Sequence, residues 1–340
     1  MTTPIASLSI AARATLNMHS LNNEGGEGNQ LQTRMVEIVD STGTLHSVNA
    51  LSGDMLKHIL MEHFYQLARS RGDVALCDSC SRFNANRINA DEDFFKEANK
   101  ERFSDAQFIS AMLRRCAIDD VAGILVTEGK RSIPRKSISE FGWVIGLPEK
   151  TRTESYLHVK YASERGEKKR SEDAAGQEKT GSNLGQSLFH RPASSGVYAI
   201  VCHLELARVG YNDILQDYAF ADNEDEERQK RARLLLESLL HTFIEFNGAM
   251  RSSQLPHLVG LEGVITTSAG VIPAPLVSPL MGDEDEQSSY QSQTKSIVSA
   301  LNGNDETMVE MHTFKSVSEF ATQMRTLIDT TSPLRLRVGR

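Results

Sequence analysis

A short basic loop offers the clearest chemistry in the chain. Residues 130–137 (KRSIPRKS) place four cations and two hydroxyl groups within eight residues, around a proline that stiffens the backbone. Lysine, arginine and hydroxyl side chains are the groups that proteins use to hold a phosphate backbone. The loop is therefore a candidate for following a nucleic acid, and the alternative is an ordinary basic surface loop.

Two further segments carry donors where the chain can approach an anion. Residues 52–58 (SGDMLKH) open a predicted helix, whose free N–H groups and dipole favour negative charge, and Lys57 and His58 follow within one turn. Residues 247–257 (NGAMRSSQLPH) join a helix to a strand, and their small residues allow close backbone approach. An ordinary capped helix and an ordinary helix end are the alternatives. The donors of the second segment are Arg251, Ser252, Ser253 and Gln254.

A Cys-x-x-Cys pair at Cys77 and Cys80 is half of a zinc site. A complete site needs two more ligands, and Cys116, Cys202 or nearby histidines are the residues that could supply them. No βαβ pattern surrounds the pair, so a thioredoxin-like motif is disfavoured. The alternatives that stay open are a structural zinc ion and thiols that bind nothing.

The sequence holds none of the common hydrolytic or nucleotide-binding motifs. It has no G-x-x-x-x-G-K-[ST] loop, no H-E-x-x-H pair and no G-x-S-x-G turn. His58 and His63 are five residues apart, which places them on different faces of a helix. The RNP1 pattern of RNA-recognition domains is absent too, so binding through the RNA backbone is favoured over base stacking. We therefore expect a protein that is not an enzyme.

The composition describes a folded chain with an uneven charge. It has 340 residues, 37 basic and 45 acidic, and a net charge of −8, which argues against a generally basic coat. Residues 130–170 nevertheless hold eleven basic and five acidic residues, a local charge of +6. Four cysteines do not form a disulfide scaffold, and no apolar run reaches the roughly 18 residues of a membrane span. These features predict a cytoplasmic protein that does not enter a membrane.

Hydrophobic periodicity predicts the elements that must position these residues. Residues 162–187 are predicted to form an arm that cannot bury a hydrophobic core. Residues 267–295 are predicted to form a loop. The order fits a ferredoxin-like α+β core whose sheet keeps one open face. Strands are predicted at 5–19, 35–39, 44–50, 121–127, 139–145, 157–161, 197–206, 259–266 and 307–314, and helices at 52–69, within 73–115, at 222–246 and at 316–328.

The order of several motifs resembles the DevR-type CRISPR-associated proteins, the Cas family numbered seven, which form the backbone subunit of type I Cascade effectors. No single motif carries the resemblance, which extends along most of the chain. The matching segments are residues 9–13 (SIAAR), 21–25 (LNNEG), 52–58 (SGDMLKH), 134–137 (PRKS), 141–143 (FGW), 195–199 (SGVYA) and 248–260 with its LPH triplet.

The resemblance implies a modified RNA-recognition palm that carries helical fingers and a flexible β-hairpin thumb. The palm would comprise residues 1–72, 119–154 with the basic loop, and 193–340, the fingers 73–118 and the thumb 155–192. It also implies several copies wound along one CRISPR RNA, which presents the guide for pairing with target DNA. The implied RNA-binding residues are Asn22, Asn23, Ser52, Lys57, His58, Arg131, Arg135, Lys136, Arg251, Ser252 and Gln254, with Lys160, Lys168, Lys169 and Arg170 in the thumb.

Two other functions compete with the guide-RNA scaffold. A metal-dependent endoribonuclease, like the backbone subunits of type III effectors, would need an acidic residue at the target strand, and Asp54 and Asp40 are the nearest candidates. A transcriptional regulator is ranked last, because no helix-turn-helix with a basic recognition helix is evident. The expected partners are the CRISPR RNA, other copies of the chain and other Cascade subunits. Whether a nuclease or a transposition machinery is recruited stays open, as do the subtype and the copy number.

Overall fold

The computed structural model describes residues 2–22, 25–27, 30–128, 131–161, 186–220, 224–280, 289–303 and 308–336. Within these ranges the chain is mixed α/β. Its helices are α1 (Gly53–Arg71), α2 (Glu92–Lys100), α3 (Asp105–Arg115), α4 (Ala117–Ala122), α5 (Glu224–Ile244), α6 (Tyr290–Asn302) and α7 (Val317–Thr330). Its strands are β1 (Thr3–Ile5), β2 (Ser7–His19), β3 (Gly26–Glu27), β4 (Gln30–Leu31), β5 (Met35–Val39), β6 (Leu45–Leu51), β7 (Ile124–Val126), β8 (Ile133–Arg135), β9 (Ser139–Phe141), β10 (Val144–Tyr161), β11 (Gln186–Leu204), β12 (Tyr211–Asn212), β13 (Asp217–Tyr218), β14 (His257–Ser268), β15 (Val309–Phe314) and β16 (Thr331–Pro333).

One large sheet organises the molecule. Its strands follow the order β15-β14-β2-β11-β10-β6-β5, and each neighbouring pair along this path is antiparallel. β9 also pairs with β11, so β9 and β10 lie in line beside it. The predicted strand 5–19 is interrupted after Ile5, because β1 leaves the sheet to pair with β16. The alternation predicted for β2 is confirmed, since Leu8, Ile10 and Leu16 all lie in the main core.

Helices α1 and α5 cover one face of this sheet, and local sequence explains where α1 begins and ends. The Ser52 hydroxyl accepts a hydrogen bond from the Met55 N–H at 3.3 Å, and Gly72 ends the helix in the left-handed conformation at φ 66°. Leu56, Ile59 and Phe64 are fully buried in the core formed with α5. The apolar stripe predicted for the 52–69 helix therefore faces the sheet as expected.

The second face of the sheet is covered over β2 and β14, which corrects the sequence-based expectation of an open face for this part of the sheet. The Ser9 hydroxyl donates to the Ala274 carbonyl at 3.0 Å, and the Arg13 Nε donates to the Pro279 carbonyl at 2.9 Å. Tyr290, the first residue of α6, is buried against Ala11 on the same face. Within the segment predicted as a loop over 267–295, residues 274–279 thus cover this face, and α6 begins at Tyr290. A periodicity argument could not reveal this, because the covering contacts are carbonyls of an irregular segment.

Residues 73–128 form a compact helical unit beside α1. A capping box begins α3: the Gln107 N–H donates to the Ser104 hydroxyl at 3.3 Å, and the Ser104 N–H donates to the Gln107 side chain at 2.9 Å. The strand predicted at 121–127 is confirmed only for Ile124–Val126, because Val121 belongs to α4. The main-chain carbonyl of Ala75 accepts from the Ala117 N–H at 2.8 Å, so the two ends of the unit run side by side.

A long hairpin extends from the sheet. Its strands β10 and β11 pair continuously from Thr151 with Gly196 to Tyr161 with Gln186. Residues 162–185 lie outside the described residues, and so does the flexible tip predicted for the thumb. Three of the thumb cations, Lys168, Lys169 and Arg170, fall there, and the side chain of Lys160 is also outside the description. The predicted strand at 157–161 is confirmed as the end of the longer β10.

Burial of His19 gives the fold a testable pH dependence. Burial lowers the pKa of this histidine from 6.5 to about 4, and its ring packs edge-on against Tyr198 at 4.9 Å. The unfolded chain therefore binds a proton that the folded chain excludes between about pH 6.5 and pH 4, so stability falls as the pH drops through this window. We expect the wild type to lose roughly 2–3 kcal/mol more than His19→Phe between pH 7 and pH 4. Urea unfolding of both chains across this range measures the difference, and parallel curves would contradict it.

Candidate nucleic-acid interface

Three segments that the sequence singled out separately meet at one end of the sheet. The Asn22 side-chain amide donates to the Ala50 carbonyl at 3.3 Å, just before the cap of α1. The Ala249 N–H donates to the Leu21 carbonyl at 3.2 Å. A Cβ on Gly248 would lie only 2.5 Å from the Leu21 side chain, so the loop after α5 needs a glycine to pack this closely. The turn after β2, the start of α1 and this loop therefore form one surface.

The same surface continues onto the base of the hairpin. The Arg191 guanidinium donates to the Ser253 hydroxyl at 3.1 Å and lies over the Phe189 ring at 4.6 Å. The Gln254 side-chain amide donates to the Pro192 carbonyl at 3.2 Å. We call this patch the loop surface. It comprises Arg191, Arg251, Ser252, Ser253 and Gln254, whereas the predicted Asn22 is buried with its amide donating to the Ala50 carbonyl.

Of the two main cations of the loop surface, the sequence predicted Arg251 but not Arg191. Arg251 was predicted from its loop, and it is 45% exposed in an ion pair with Glu245. Arg191 was not predicted, because nothing in its local sequence distinguishes it from an ordinary basic residue in a β-strand. Ser252 is exposed, and Asn23 lies outside the described residues. The predicted loop 247–257 and the predicted thumb base are thus brought together.

A second basic feature lies one turn into α1. A cleft of about 340 Å³ opens between α1 and the 3-10 turns of residues 80–90. Burial lowers the pKa of Lys57, and the nearby Arg87 guanidinium lowers it further. The His58 ring lies 5.5 Å from the Phe83 ring. Sequence reasoning singled out Asp54, Lys57 and His58 but missed Asn84 and Arg87. The cleft is lined by Asp54, Lys57, His58, Phe83, Asn84 and Arg87, with apolar residues behind them.

The basic loop 130–137 does not act as one unit. Lys136 is exposed and pairs with Glu140 at 3.2 Å and with Glu205 at 3.3 Å. Arg131 is only 16% exposed, pairs with Asp105 at 3.1 Å and lies over the Phe108 ring at 4.8 Å. Arg131 therefore holds the loop against α3, whereas Lys136 stays at the surface.

The prediction that Arg135 lines an RNA track is wrong. Its side chain has no exposed surface, and its guanidinium donates to Asp120 at 2.7 Å and to the Tyr211 carbonyl at 2.7 Å. Arg231 is equally buried and pairs with the same carboxylate at 3.0 Å. The Gly210 N–H donates to Asp120 at 2.9 Å. A buried guanidinium whose donors are occupied cannot contact a phosphate, so Arg135 belongs to a structural ion cluster.

The predicted cysteine pair lies in a buried cluster. Cys77, Cys80, Cys116 and Asp119 each offer one ligand atom, and these atoms all lie within 4.8 Å of one another. Cys116 was among the predicted candidates, Cys202 is elsewhere in β11, and Asp119 was not foreseen. In the described residues, no other group of three or more His, Cys, Asp or Glu side chains could hold a metal ion in this way.

Comparison with known proteins identifies the family. The sequence model described as "CRISPR-associated negative auto-regulator DevR/Csa2" matches residues 10–288, and the chain therefore belongs to this family. It is also 27% identical over 289 residues to the "CRISPR-associated protein Cas7/Cst2/DevR" of Methanocaldococcus jannaschii, a match that covers 78% of this chain and 82% of that protein. The predicted membership in the Cas family numbered seven is confirmed.

Solved structures resemble the chain more distantly. A chain of a "CRISPR RNA-guided surveillance complex, pre-nicking" aligns with a TM-score of 0.48 at 10% identity, over 95% of this chain and 99% of that one. A second surveillance-complex chain gives 0.44 at 10% identity, over 95% and 98%. The Thermofilum pendens protein Csc2 gives 0.37 at 13% identity, over 96% and 87%. In the described part of the chain, no helix is both long and apolar enough to cross a membrane.

Proposed function

We propose that this protein is the CRISPR RNA-binding backbone subunit of a type I Cascade-like effector. The observation that carries the proposal is the loop surface, where the base of the hairpin and the loop after α5 bring amide, hydroxyl and guanidinium donors together. Family membership supports the same function. Several copies would bind one guide RNA, contact other subunits of the complex and present the guide for pairing with target DNA.

The palm of this subunit would be of the RNA-recognition type. The order β14-β2-β11-β10 is antiparallel throughout, and α1 and α5 lie on one face of it. A β-α-β-β-α-β chain with these neighbours is a ferredoxin-like arrangement. Because residues 274–279 and α6 cover β2 and β14 on the second face, RNA would bind at the loop surface and the cleft rather than across these strands. Residues 73–118 and the β10–β11 hairpin would be the fingers and the thumb.

Binding would depend on the RNA backbone rather than on base identity. A guide that must pair with any target leaves its bases free, so the protein is limited to phosphates and sugars. Lys57, His58, Lys136, Arg191 and Arg251 supply partly or fully exposed donors for this. Each contact is weak alone, and repetition along one RNA raises the overall affinity.

We propose that the subunit has no catalytic activity. Asp40, one candidate for a metal-dependent endoribonuclease, is held in its turn by His46, Thr42 and Thr44, and the His46 hydrogen bond is the largest cause of its lowered pKa. The other candidate, Asp54, is an exposed first-turn residue of α1. In the residues with described positions, neither belongs to a group of three ligating side chains. Cleavage of target RNA that needs magnesium and is lost in Asp54→Ala would favour the alternative.

Co-expression tests the proposed function directly. The full chain is produced with a CRISPR array and the other complex subunits, purified, and its nucleic acid sequenced. We expect one RNA of uniform length that contains spacer and repeat sequence and carries several copies of the protein. A monomer without RNA in the presence of all partners would overturn the proposal.

Arg251 offers a test of the loop surface with a closely matched control. Arg251→Ala removes a cation that is 45% exposed in a pair with Glu245, and Arg233→Ala removes one that is 47% exposed in a pair with Asp329. One phosphate contact is worth about 1 kcal/mol, so we expect Arg251→Ala to weaken RNA binding roughly fivefold per copy. Arg233→Ala should bind as the wild type does. Filter binding to a guide-length RNA measures both, and equal losses would exclude a specific role for Arg251.

A further inference from the structure

We propose that Cys77, Cys80, Cys116 and Asp119 bind one structural Zn²⁺ ion. The site goes beyond RNA binding, since it belongs to the architecture of the helical unit and touches none of the loop surface. Two ligands come from the turn at residues 77–80, and two come from the junction of α3 and α4. The ion would join these two ends of the unit.

The arrangement of donor atoms fits a tetrahedral ion. With Zn–S distances of about 2.3 Å, ligand atoms of a tetrahedron are separated by about 3.8 Å. The sulfur atoms of Cys77 and Cys80 each lie 3.7 Å from the same oxygen of Asp119. All four donor atoms are within 4.8 Å of one another, so a small contraction would complete the geometry.

The surroundings of the Asp119 carboxylate suit a bound cation. Asp119 has no exposed side-chain surface, and its Oδ1 atom has no hydrogen-bond partner. A buried carboxylate among three thiols is unfavourable unless a cation compensates it. The Arg87 guanidinium lies 3.9 Å from Oδ1, too far for a hydrogen bond. The next residue, Asp120, is equally buried, yet its carboxylate pairs with two arginines. The carboxylate of Asp119 has no such pairs at hydrogen-bond distance.

The ligand set selects zinc among the common metals. Thiolates are soft ligands that calcium and magnesium avoid, and four ligands without an open position are typical of structural zinc. The Cys80 N–H points to the Cys77 sulfur at 3.4 Å, which stabilises a thiolate there. Arg87 would offset part of the negative charge of three thiolates and one carboxylate. Binding would release the thiol protons to solvent.

The position of the site gives the ion a structural role. Next to it, Ala75 and Ala117 already join the two ends of the helical unit by a main-chain hydrogen bond of 2.8 Å. Asp119 is followed at once by Asp120, the centre of the buried ion cluster with Arg135 and Arg231. Zinc would therefore fix α4 against the turn at residues 77–80, directly beside the buried ion cluster.

Metal analysis of the full chain tests the proposal. The protein is produced in zinc-supplemented medium, purified without a metal-affinity step, and dialysed against a weak chelator. We expect elemental mass spectrometry to find about one zinc per chain. A mercurial that blocks the thiols should release this zinc. After exchange with Co²⁺, the visible absorption of tetrahedral cobalt and a sulfur-to-cobalt charge-transfer band should appear. Folded protein with less than about one tenth of an equivalent of zinc would overturn the proposal.

Variants separate the site from nonspecific thiol binding. Cys116→Ser and Asp119→Asn should each lower retained zinc several-fold and alter the cobalt spectrum. Cys202→Ser is the matched control, because this cysteine is equally buried in β11 but outside the cluster, and it should retain the metal. If Cys116→Ser does not fold, the wild-type metal content and the Asp119→Asn spectrum still decide. A Cys77–Cys80 disulfide in freshly purified protein, or unchanged zinc in both variants, would refute the assignment.

Discussion

Asp120→Ala is expected to destabilise the chain by about 3–5 kcal/mol, because it leaves two buried guanidinium groups without their shared carboxylate. Arg135 and Arg231 have no exposed side-chain surface, and both donate to Asp120, at 2.7 Å and 3.0 Å. The Gly210 N–H would lose its acceptor as well. A loss of this size is a large share of the roughly 5–15 kcal/mol that stabilises a typical domain. We expect low soluble yield and a marked fall in the urea midpoint.

Asp213→Ala is the control for this prediction. Asp213 pairs with Arg135 at 3.0 Å and with Arg208 at 2.7 Å, but its side chain is 45% exposed. A partly exposed pair of this kind contributes about 1 kcal/mol or less. If both variants unfolded at the same urea concentration, the buried cluster around Asp120 would not stabilise the fold more than an exposed ion pair does. Asp120→Asn keeps an acceptor for Gly210 and should fall between the two.

The same contrast decides how RNA-binding variants are interpreted. Because Arg135 is structural, an Arg135→Ala chain that lost RNA would report misfolding rather than a missing phosphate contact. Lys136, the neighbouring residue in the basic loop, is 57% exposed and can be replaced without disturbing the cluster. Sequence alone gave the two cations the same role, because the partners Asp120 and Tyr211 are distant in the chain.

Local signals predicted those parts of the fold that depend on local physics. Helix α1 was found because Ser52 caps it, Gly72 ends it and its apolar residues recur at helical spacing. The start of α6 was missed, since Tyr290 follows a polar stretch and is buried by residues distant in the chain, such as Ala11 and Val264. The covering of the second sheet face was missed for the same reason. It depends on carbonyls of residues 274–279, which carry no periodic pattern.

The candidate sites show the same division. Cys77 and Cys80 stand out by their spacing, and Cys116 remained one of several possible partners. Asp119 carried no signal, because aspartate is usually exposed and nothing local marks this one as fully buried. Arg191 was missed since its partner Ser253 is 62 positions away. Residue type and spacing identified the chemistry, while the assembly of each site required contacts between distant segments.

Lys57→Gln is expected to weaken guide-RNA binding most strongly among single surface substitutions. Lys57 lies beside Arg87 in the cleft and is partly buried, and this burial lowers the pKa of its ammonium group. A charge in such a place is screened less than one on an open surface, so its phosphate contact is stronger. We expect a loss of about 1–2 kcal/mol per copy, or roughly five- to thirtyfold. Across several copies on one RNA these factors multiply.

The salt dependence of binding distinguishes a lost phosphate contact from a changed fold. Each phosphate contact to single-stranded RNA contributes about 0.7 to the slope of log affinity against log salt concentration. Lys57→Gln should therefore lower the slope by about 0.7 for each bound copy. Lys315→Gln makes the same charge change between β15 and α7, at the opposite edge of the sheet. An unchanged slope in Lys57→Gln, or an equal change in Lys315→Gln, would mean that the cleft does not hold the guide, and the RNA would then be confined to the loop surface.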